Sequence, residues 1–93
     1  MSNLPLEEIT EDSMTMRGIT REHYQVVAPY LKRISNRVEV SSGNIVYNID
    51  EEYGGGVIES SARDGTLKIT SEVTAEVIDS IRDAFKSAES KPI

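Results

Sequence analysis

The sequence contains no cysteine and only one histidine. The absence of cysteine excludes disulfide bonds, thiolate nucleophiles and thiolate zinc sites. It is typical of an intracellular protein, and we expect the chain to lie in the cytoplasm. No apolar run approaches the ~20 residues that a membrane-spanning helix needs. The N-terminal segment MSNLPLEEITED is acidic and lacks the basic and apolar regions of a secretory signal.

Basic residues are outnumbered by acidic ones, ten against sixteen, which gives a net charge of −6. This sign disfavours direct binding to nucleic acid or to an anionic membrane, and it favours a basic partner. With 93 residues the chain has the length of a single domain, residues 1–93. We expect its polar ends, residues 1–13 and 89–93, to be mobile.

The most regular pattern lies in residues 71–88, where apolar residues recur at helical spacing. Thr70 or Ser71 is the expected N-cap of this helix. One face carries the apolar residues, which are Val73, Val77, Ile78, Ile81, Ala84, Phe85 and Ala88. The opposite face carries four carboxylates, which we call the acidic ridge: Glu72, Glu76, Asp79 and Asp83.

A second helix is predicted over residues 21–35, with Thr20 as its N-cap. Pro29 lies inside its apolar stripe and removes one backbone donor. Two interpretations remain open: Pro29 kinks one helix, or it begins a second short one. The stripe consists of Tyr24, Val27, Leu31 and Ile34.

Four strands are predicted between the helices, at residues 37–40, 45–50, 57–62 and 66–70. Their short connections require antiparallel neighbours. We therefore predict an α+β two-layer sandwich in the order α-β-β-β-β-α, a four-stranded antiparallel meander with both helices on one face. Residues 14–17 are a candidate edge strand. The candidate core residues of the sheet are Ile45, Tyr47, Ile49, Leu67 and Ile69.

No motif of catalysis or metal binding stands out, so we predict a protein that is not an enzyme and has no cofactor or metal. His23 has no nucleophile and no orienting partner nearby in the sequence, and we expect it at the surface. The glycines at 54–56 follow three acids and precede a strand, which favours a flexible connection over a phosphate-binding loop. Those acids are adjacent, whereas a calcium loop spaces its ligands at alternate positions.

The acidic ridge is the best functional candidate. Its carboxylates span about 16 Å at a rise of ~1.5 Å per residue, so they lie about 5–6 Å apart on average. This is close to the spacing of phosphates along a nucleic-acid strand. Three loop acids would extend the negative surface: Asp50, Glu51 and Glu52. The alternative is an ordinary solvated helix face.

A small, cysteine-free, acidic domain with such a face (Glu72, Glu76, Asp79, Asp83) resembles the DNA-mimic anti-restriction proteins of T-even phages. The resemblance covers the whole chain in size, charge and layout. It implies a dimer whose carboxylates imitate the phosphates of duplex DNA and occupy a host restriction enzyme or nucleoid protein. The sequence departs from this type in one respect, because it has a basic patch that consists of Lys32, Arg33 and Arg37. This patch favours a one-sided acidic face over an acidic surface all round.

Our main hypothesis is therefore a non-enzymatic protein that occupies a basic, DNA-binding surface of a host protein. The acidic ridge and the loop acids would make that contact. The alternative is a homodimeric assembly module that associates through a sheet edge or the polar sheet face, with no partner of opposite charge.

Overall fold

A computed structural model describes residues 6–89. Six strands, two α-helices and one short 3-10 turn follow one another along the chain. The strands are β1 (Leu6–Ile9), β2 (Ser13–Arg17), β3 (Ser35–Ser41), β4 (Asn44–Ile49), β5 (Val57–Ser61) and β6 (Thr66–Thr70). The helices are α1 (Arg21–Ile34) and α2 (Ala75–Glu89), and the 3-10 turn is Glu51–Tyr53.

The strands form one antiparallel sheet in the order β1-β2-β6-β5-β4-β3. The order along the chain is β-β-α-β-β-β-β-α. The predicted four-stranded α-β-β-β-β-α arrangement is therefore wrong, because a β-hairpin precedes α1. The four strands after α1 do form a meander, in which each pairs with the next.

The N-terminal hairpin adds two strands to the far side of that meander. Met14 lies opposite Ile69 and Met16 lies opposite Leu67, so β2 pairs along β6. Strand β2 is thus an internal strand and not an edge, because β1 covers its other side. The predicted mobile end at residues 1–13 includes the residues of β1. Residues 1–5 and 90–93, which belong to the predicted mobile ends, lie outside the described residues.

One face of the sheet carries the core, and both helices pack on it. Alternate residues of the inner strands point to this face, including Tyr47, Ile58 and Leu67, which are almost fully buried. Four of the five predicted core residues of the sheet are buried, and Ile45 is half-buried. Within residues 6–89, neither helix is long and apolar enough to cross a membrane.

Helix α1 begins as predicted at the N-cap Thr20 and runs through Pro29 without a break. A second helix starting at Pro29 is therefore excluded. His23 is not at the surface, as the sequence suggested, but is 1 % exposed. Its Nδ1 atom accepts a hydrogen bond of 2.9 Å from the backbone N–H of Thr20, and its ring meets Phe85 of α2 edge-on with centroids 5.0 Å apart. The histidine thus caps one helix and packs against the other.

Helix α2 begins later than the periodicity predicted. Its first residue is Ala75, and the side-chain oxygen of Thr74 accepts a bond of 3.4 Å from the backbone N–H of Val77. Thr70 and Ser71 are not its cap, because Thr70 still belongs to β6 and Ser71 lies in the turn that follows. Thr70 instead uses its hydroxyl to accept a bond from the Val57 N–H of β5.

Candidate functional site

Three connections leave the sheet at the same end. Ser13 pairs with Thr70, so the β1–β2 loop and the β6–α2 turn are neighbours. The Val57 N–H bonds to the Thr70 hydroxyl, which places the β4–β5 connection beside them. A backbone bond of 3.0 Å from the Ser71 N–H to the Asp12 carbonyl oxygen ties the first two together. Acids that are far apart in the sequence therefore meet at this end.

Six exposed acids lie on these connections and on the first turn of α2, and we call them the acidic end. They are Glu11, Asp12, Glu51, Glu52, Glu72 and Glu76. Like charges so grouped create a negative potential that attracts a basic surface. The sequence analysis singled out four of the six. It missed Glu11 and Asp12, because it expected their segment to be mobile, and an acidic pair in a short turn was the only signal for them.

The predicted acidic ridge is not a single helix face. Glu72 lies in the turn before α2, and only Glu76, Asp79 and Asp83 are on the helix. All four side chains belong to exposed residues. Asp79 accepts a bond of 3.1 Å from Arg82, so one of the helical carboxylates is already paired with a positive charge. The ridge is therefore interrupted, and its N-terminal half merges with the acidic end.

The loop acids are held in an ordered turn. Asp50 is half-buried and accepts a bond of 3.0 Å from the Glu52 N–H, which caps the 3-10 turn. Its carboxylate therefore stabilises the turn, whereas Glu51 and Glu52 project outward as exposed residues. Of the three predicted loop acids, two thus remain for a partner.

The glycines that follow are packed against the start of α2, which argues against the flexible connection that the sequence predicted. A Cβ added to Gly54 would lie 2.6 Å from the Thr74 methyl carbon and 2.7 Å from the carbonyl oxygen of Glu72. Gly56 approaches Thr70 and Glu72 just as closely, whereas Gly55 has open space. Close approach and positive φ at Gly54 and Gly56 require glycine and bring the loop acids beside Glu72.

A cleft of about 330 Å³ separates the 3-10 turn from the first turns of α2. Glu52 lines one side of it and Glu76 lines the other, and two half-buried tyrosines, Tyr30 and Tyr53, also line it. Carboxylates beside aromatic rings favour a cationic side chain, through ion pairing and the negative faces of the rings. The cleft can therefore accept a lysine or arginine side chain of a partner.

Positive charge borders this cleft on the side of α1. Lys32 and Arg33 lie in the last turn of α1 and are exposed, and the Asp50 N–H bonds to the carbonyl of Ile34 in the same turn. The guanidinium carbon of Arg33 lies 5.6 Å from the ring centroid of Tyr30. The negative surface is thus bounded on one side, which is consistent with a one-sided acidic face.

Within residues 6–89 no group of three or more potential ligands is close enough to hold a metal ion. Asp50, Glu51 and Glu52 accordingly do not gather around a common point. His23 is enclosed between the helices, where its ring packs against Phe85.

The face of the sheet away from the helices is largely polar, and no other described element between residues 6 and 89 packs on it. Lys68 lies opposite Glu59 there, so charges of both signs meet near its centre. A shallow concavity of about 640 Å³ lies on it. Such mixed charge favours neither a basic nor an acidic partner, so we place the candidate site at the acidic end.

Comparison with known proteins found no matching family model and no similar curated protein or solved structure. The geometry of residues 6–89 is therefore the basis for a functional proposal. Its main features are the acids on three neighbouring connections and the cleft lined by tyrosines, Glu52 and Glu76.

Proposed function

We propose that this protein is a non-enzymatic binding protein whose acidic end occupies a basic surface of another protein in the cytoplasm. The partner we favour is a DNA-binding protein of a host cell, such as a restriction enzyme or a nucleoid protein. The protein would then compete with DNA for that surface. The acidic end is the observation that carries this proposal.

Charge complementarity supports this choice of partner. The six residues of the acidic end are exposed, and two of them, Glu52 and Glu76, line the cleft. A surface that binds DNA presents arginine and lysine side chains at phosphate spacing. One such side chain would enter the cleft between Glu52 and Glu76, and its neighbours would meet the surrounding acids.

The test is capture of a DNA-binding protein from bacterial lysate on the immobilised chain, followed by displacement with duplex DNA. We expect capture at low salt and release at about 0.5 M salt, where the Debye length is about 4 Å. Displacement by duplex DNA distinguishes occupation of the DNA-binding surface from attachment elsewhere. A captured protein that DNA does not displace would contradict the mimicry.

Matched variants locate the contact. Glu51→Lys/Glu52→Lys reverses two charges of the acidic end and should abolish capture. Glu22→Lys/Asp64→Lys changes the net charge by the same amount at exposed residues remote from the acidic end, and should retain it. Circular dichroism checks that both variants are folded. Equal loss of capture in both would show a nonspecific charge effect and contradict a role for the acidic end.

The second candidate is a homodimeric assembly module with no charge-driven partner. Strand β3 favours it, because it is an edge strand of seven residues that exposes Val38 and Val40. Exposed edge strands with apolar residues are templates for pairing with another chain. This candidate predicts self-association that needs no second protein.

A further inference from the structure

Within residues 6–89, strand β3 has a neighbouring strand on one side only and forms one edge of the sheet. It spans Ser35–Ser41, pairs with β4 on one side, and ends the strand order of the sheet. Strand β1, at the opposite edge, has only four residues. A bulge lies between Ser35 and Arg37, so the regular part of the β3 edge is residues 37–41. This regular part is long enough to pair with another strand.

The turn that follows β3 determines which backbone groups are free. Ser42 and Gly43 both have positive φ and form a two-residue turn between Ser41 and Asn44. The residues that flank such a turn form a hydrogen-bonded pair, and bonded pairs then alternate along the hairpin. Glu39 and Arg37 consequently bond to β4, whereas Val38 and Val40 direct their backbone N–H and C=O groups away from the sheet.

The side chains of this edge divide between the two faces. Val38 and Val40 lie on the face that carries the helices, and they are 38 % and 74 % exposed. Arg37 and Glu39 lie on the polar face, with side chains 72 % and 52 % exposed and 3.7 Å between their charged groups. An exposed pair at this distance contributes little to stability. Glu39 also accepts a hydrogen bond of 3.2 Å from the Asn48 side chain of β4, and both charged groups stay exposed to a neighbouring strand.

We infer that β3 pairs antiparallel with β3 of a second copy of this chain, about a two-fold axis through Val38. Each Val38 then faces its counterpart, and their outward backbone groups bond to one another. Arg37 of each copy lies directly opposite Glu39 of the other, in the closer, non-hydrogen-bonded kind of pair. The two sheets become one continuous sheet with all helices on the same face.

Charge selects this register over its neighbours. An axis through Val38 and an axis through either of its neighbours, Arg37 or Glu39, all keep each side chain on its own face. An axis through Arg37 places two guanidinium groups opposite each other, and an axis through Glu39 places two carboxylates opposite each other. Like charges directly opposite are destabilising, so the axis through Val38 is favoured. It also joins Val38 and Val40 of both copies into one apolar strip.

This inference deepens the second candidate function, and it does not depend on the acidic end. Its test uses the purified chain alone, so failure to find a basic partner leaves it unaffected. Conversely, a monomeric chain leaves the charge-driven proposal intact. An experiment can therefore contradict the dimer through β3 without contradicting the charge-driven proposal, and the reverse.

Sedimentation equilibrium across a concentration series tests the association. We expect a monomer–dimer equilibrium that starts from the chain mass of 10.3 kDa. Arg37→Glu converts two attractive cross-strand pairs into two repulsive ones and should raise the dissociation constant of the dimer at least about tenfold. Arg63→Glu makes the same change in net charge on the exposed β5–β6 turn and should leave it unchanged. The swap Arg37→Glu/Glu39→Arg should restore the dimer.

Two further variants make the result decisive. Glu39→Gln weakens the dimer if the axis passes through Val38, but strengthens it if the axis passes through Glu39, so strengthening overturns the proposed register. Val38→Pro removes an outward N–H without affecting the bonds to β4, and a folded monomer is the expected result. A wild-type chain that stays monomeric throughout, or a dimer that Val38→Pro leaves intact, overturns the proposal.

Discussion

The guanidinium group of Arg82 donates two hydrogen bonds to the carboxylate of Glu7. Nε donates to one carboxylate oxygen at 2.8 Å, and a terminal nitrogen donates to the other at 2.7 Å. The two residues are 75 positions apart, so this contact joins α2 to β1, the outermost strand of the sheet. The bonds to Glu7 are the main cause that raises the pKa of Arg82 above its ordinary value.

Loss of this ion pair should destabilise the fold measurably. We expect Arg82→Gln to lower the free energy of unfolding by about 1 kcal/mol, the upper range for partly exposed pairs, because the bidentate geometry is favourable. Arg82→Lys keeps the charge but not the two parallel hydrogen bonds. Its free energy of unfolding should therefore lie between those of the wild type and Arg82→Gln. Urea denaturation measures all three proteins.

Asp79→Asn provides the matched control for that series. It removes the charge attraction between Arg82 and a neighbour on the same helix, which is worth about 0.2–0.5 kcal/mol, and leaves the contact with Glu7 in place. If Asp79→Asn and Arg82→Gln had equal effects, the connection between α2 and β1 would not be the stabilising contact.

Because Gly54 is closely packed and Gly55 is not, we expect substitution of Gly54 to lower stability more than substitution of Gly55. Gly54→Ala and Gly55→Ala both place a side chain at positive φ, which costs about 1–2 kcal/mol. Only the former also meets Thr74 and the carbonyl of Glu72, so it should cost about 1–3 kcal/mol more. Thermal denaturation of the two variants isolates this difference. Equal stabilities would mean that the turn moves freely from the start of α2.

Burial of Tyr24 predicts a loss of stability at alkaline pH. Its hydroxyl lies 2.7 Å from the carbonyl oxygen of Ser61 and 3.0 Å from that of Thr66. Desolvation by burial is the main cause that raises its pKa above the ordinary 10.0, and the nearby charge of Asp64 adds to it, against an opposing hydrogen bond from Ser60. Above pH 10 the unfolded chain therefore loses this proton first, so stability present below pH 10 declines until the folded protein also ionises.

Burial also raises the pKa of Tyr47, so both tyrosines contribute to the loss of stability at alkaline pH. Substitution of Tyr24 by phenylalanine separates the two contributions. Tyr24→Phe should cost about 1 kcal/mol at neutral pH, since a hydrogen bond is lost. It should also reduce the decline in the urea midpoint between pH 9 and 11. A decline that is identical in Tyr24→Phe and in the wild type would contradict the assignment to Tyr24.

Pro29 should be replaceable with a gain in stability. It is exposed in the middle of α1, where it cannot donate to the carbonyl of Gln25. We expect Pro29→Ala to raise the free energy of unfolding by about 2 kcal/mol, after allowance for the greater freedom of the unfolded chain. Pro29→Gly restores the same N–H and should gain about 1 kcal/mol less. Denaturation midpoints that fall for both would indicate that proline is needed at this position.

Local patterns were sufficient to predict most elements. The cap at Thr20, the stripe of α1 and the alternation of β4 and β6 depend on residues a few positions apart, and the structure has each of them. The start of α2 was misplaced because Val73 continues the helical spacing although it lies in the preceding turn. Periodicity alone cannot distinguish a helical residue from a turn residue that is buried on the same side.

The complete N-terminal hairpin was beyond such reasoning, although residues 14–17, most of β2, were predicted as an edge strand. Its four-residue strand β1 has no buried residue, and β2 is stabilised by pairing with β6, some 50 residues further along the chain. For the same reason the burial of His23 was missed, since its ring is enclosed by Phe85 of α2. Interactions between distant segments leave little signal in either segment alone.

The sequence by itself determined most of the helical and extended segments, their apolar faces and the acidic character of this protein, because these follow from neighbouring residues and from composition. Only the tertiary structure determined where the acids meet. The antiparallel pairing of β2 with β6 brings Asp12 beside Ser71, and glycine at positions 54 and 56 lets the loop acids approach Glu72. The acidic end is therefore a product of strand order and close backbone packing, which no local pattern of residues contains.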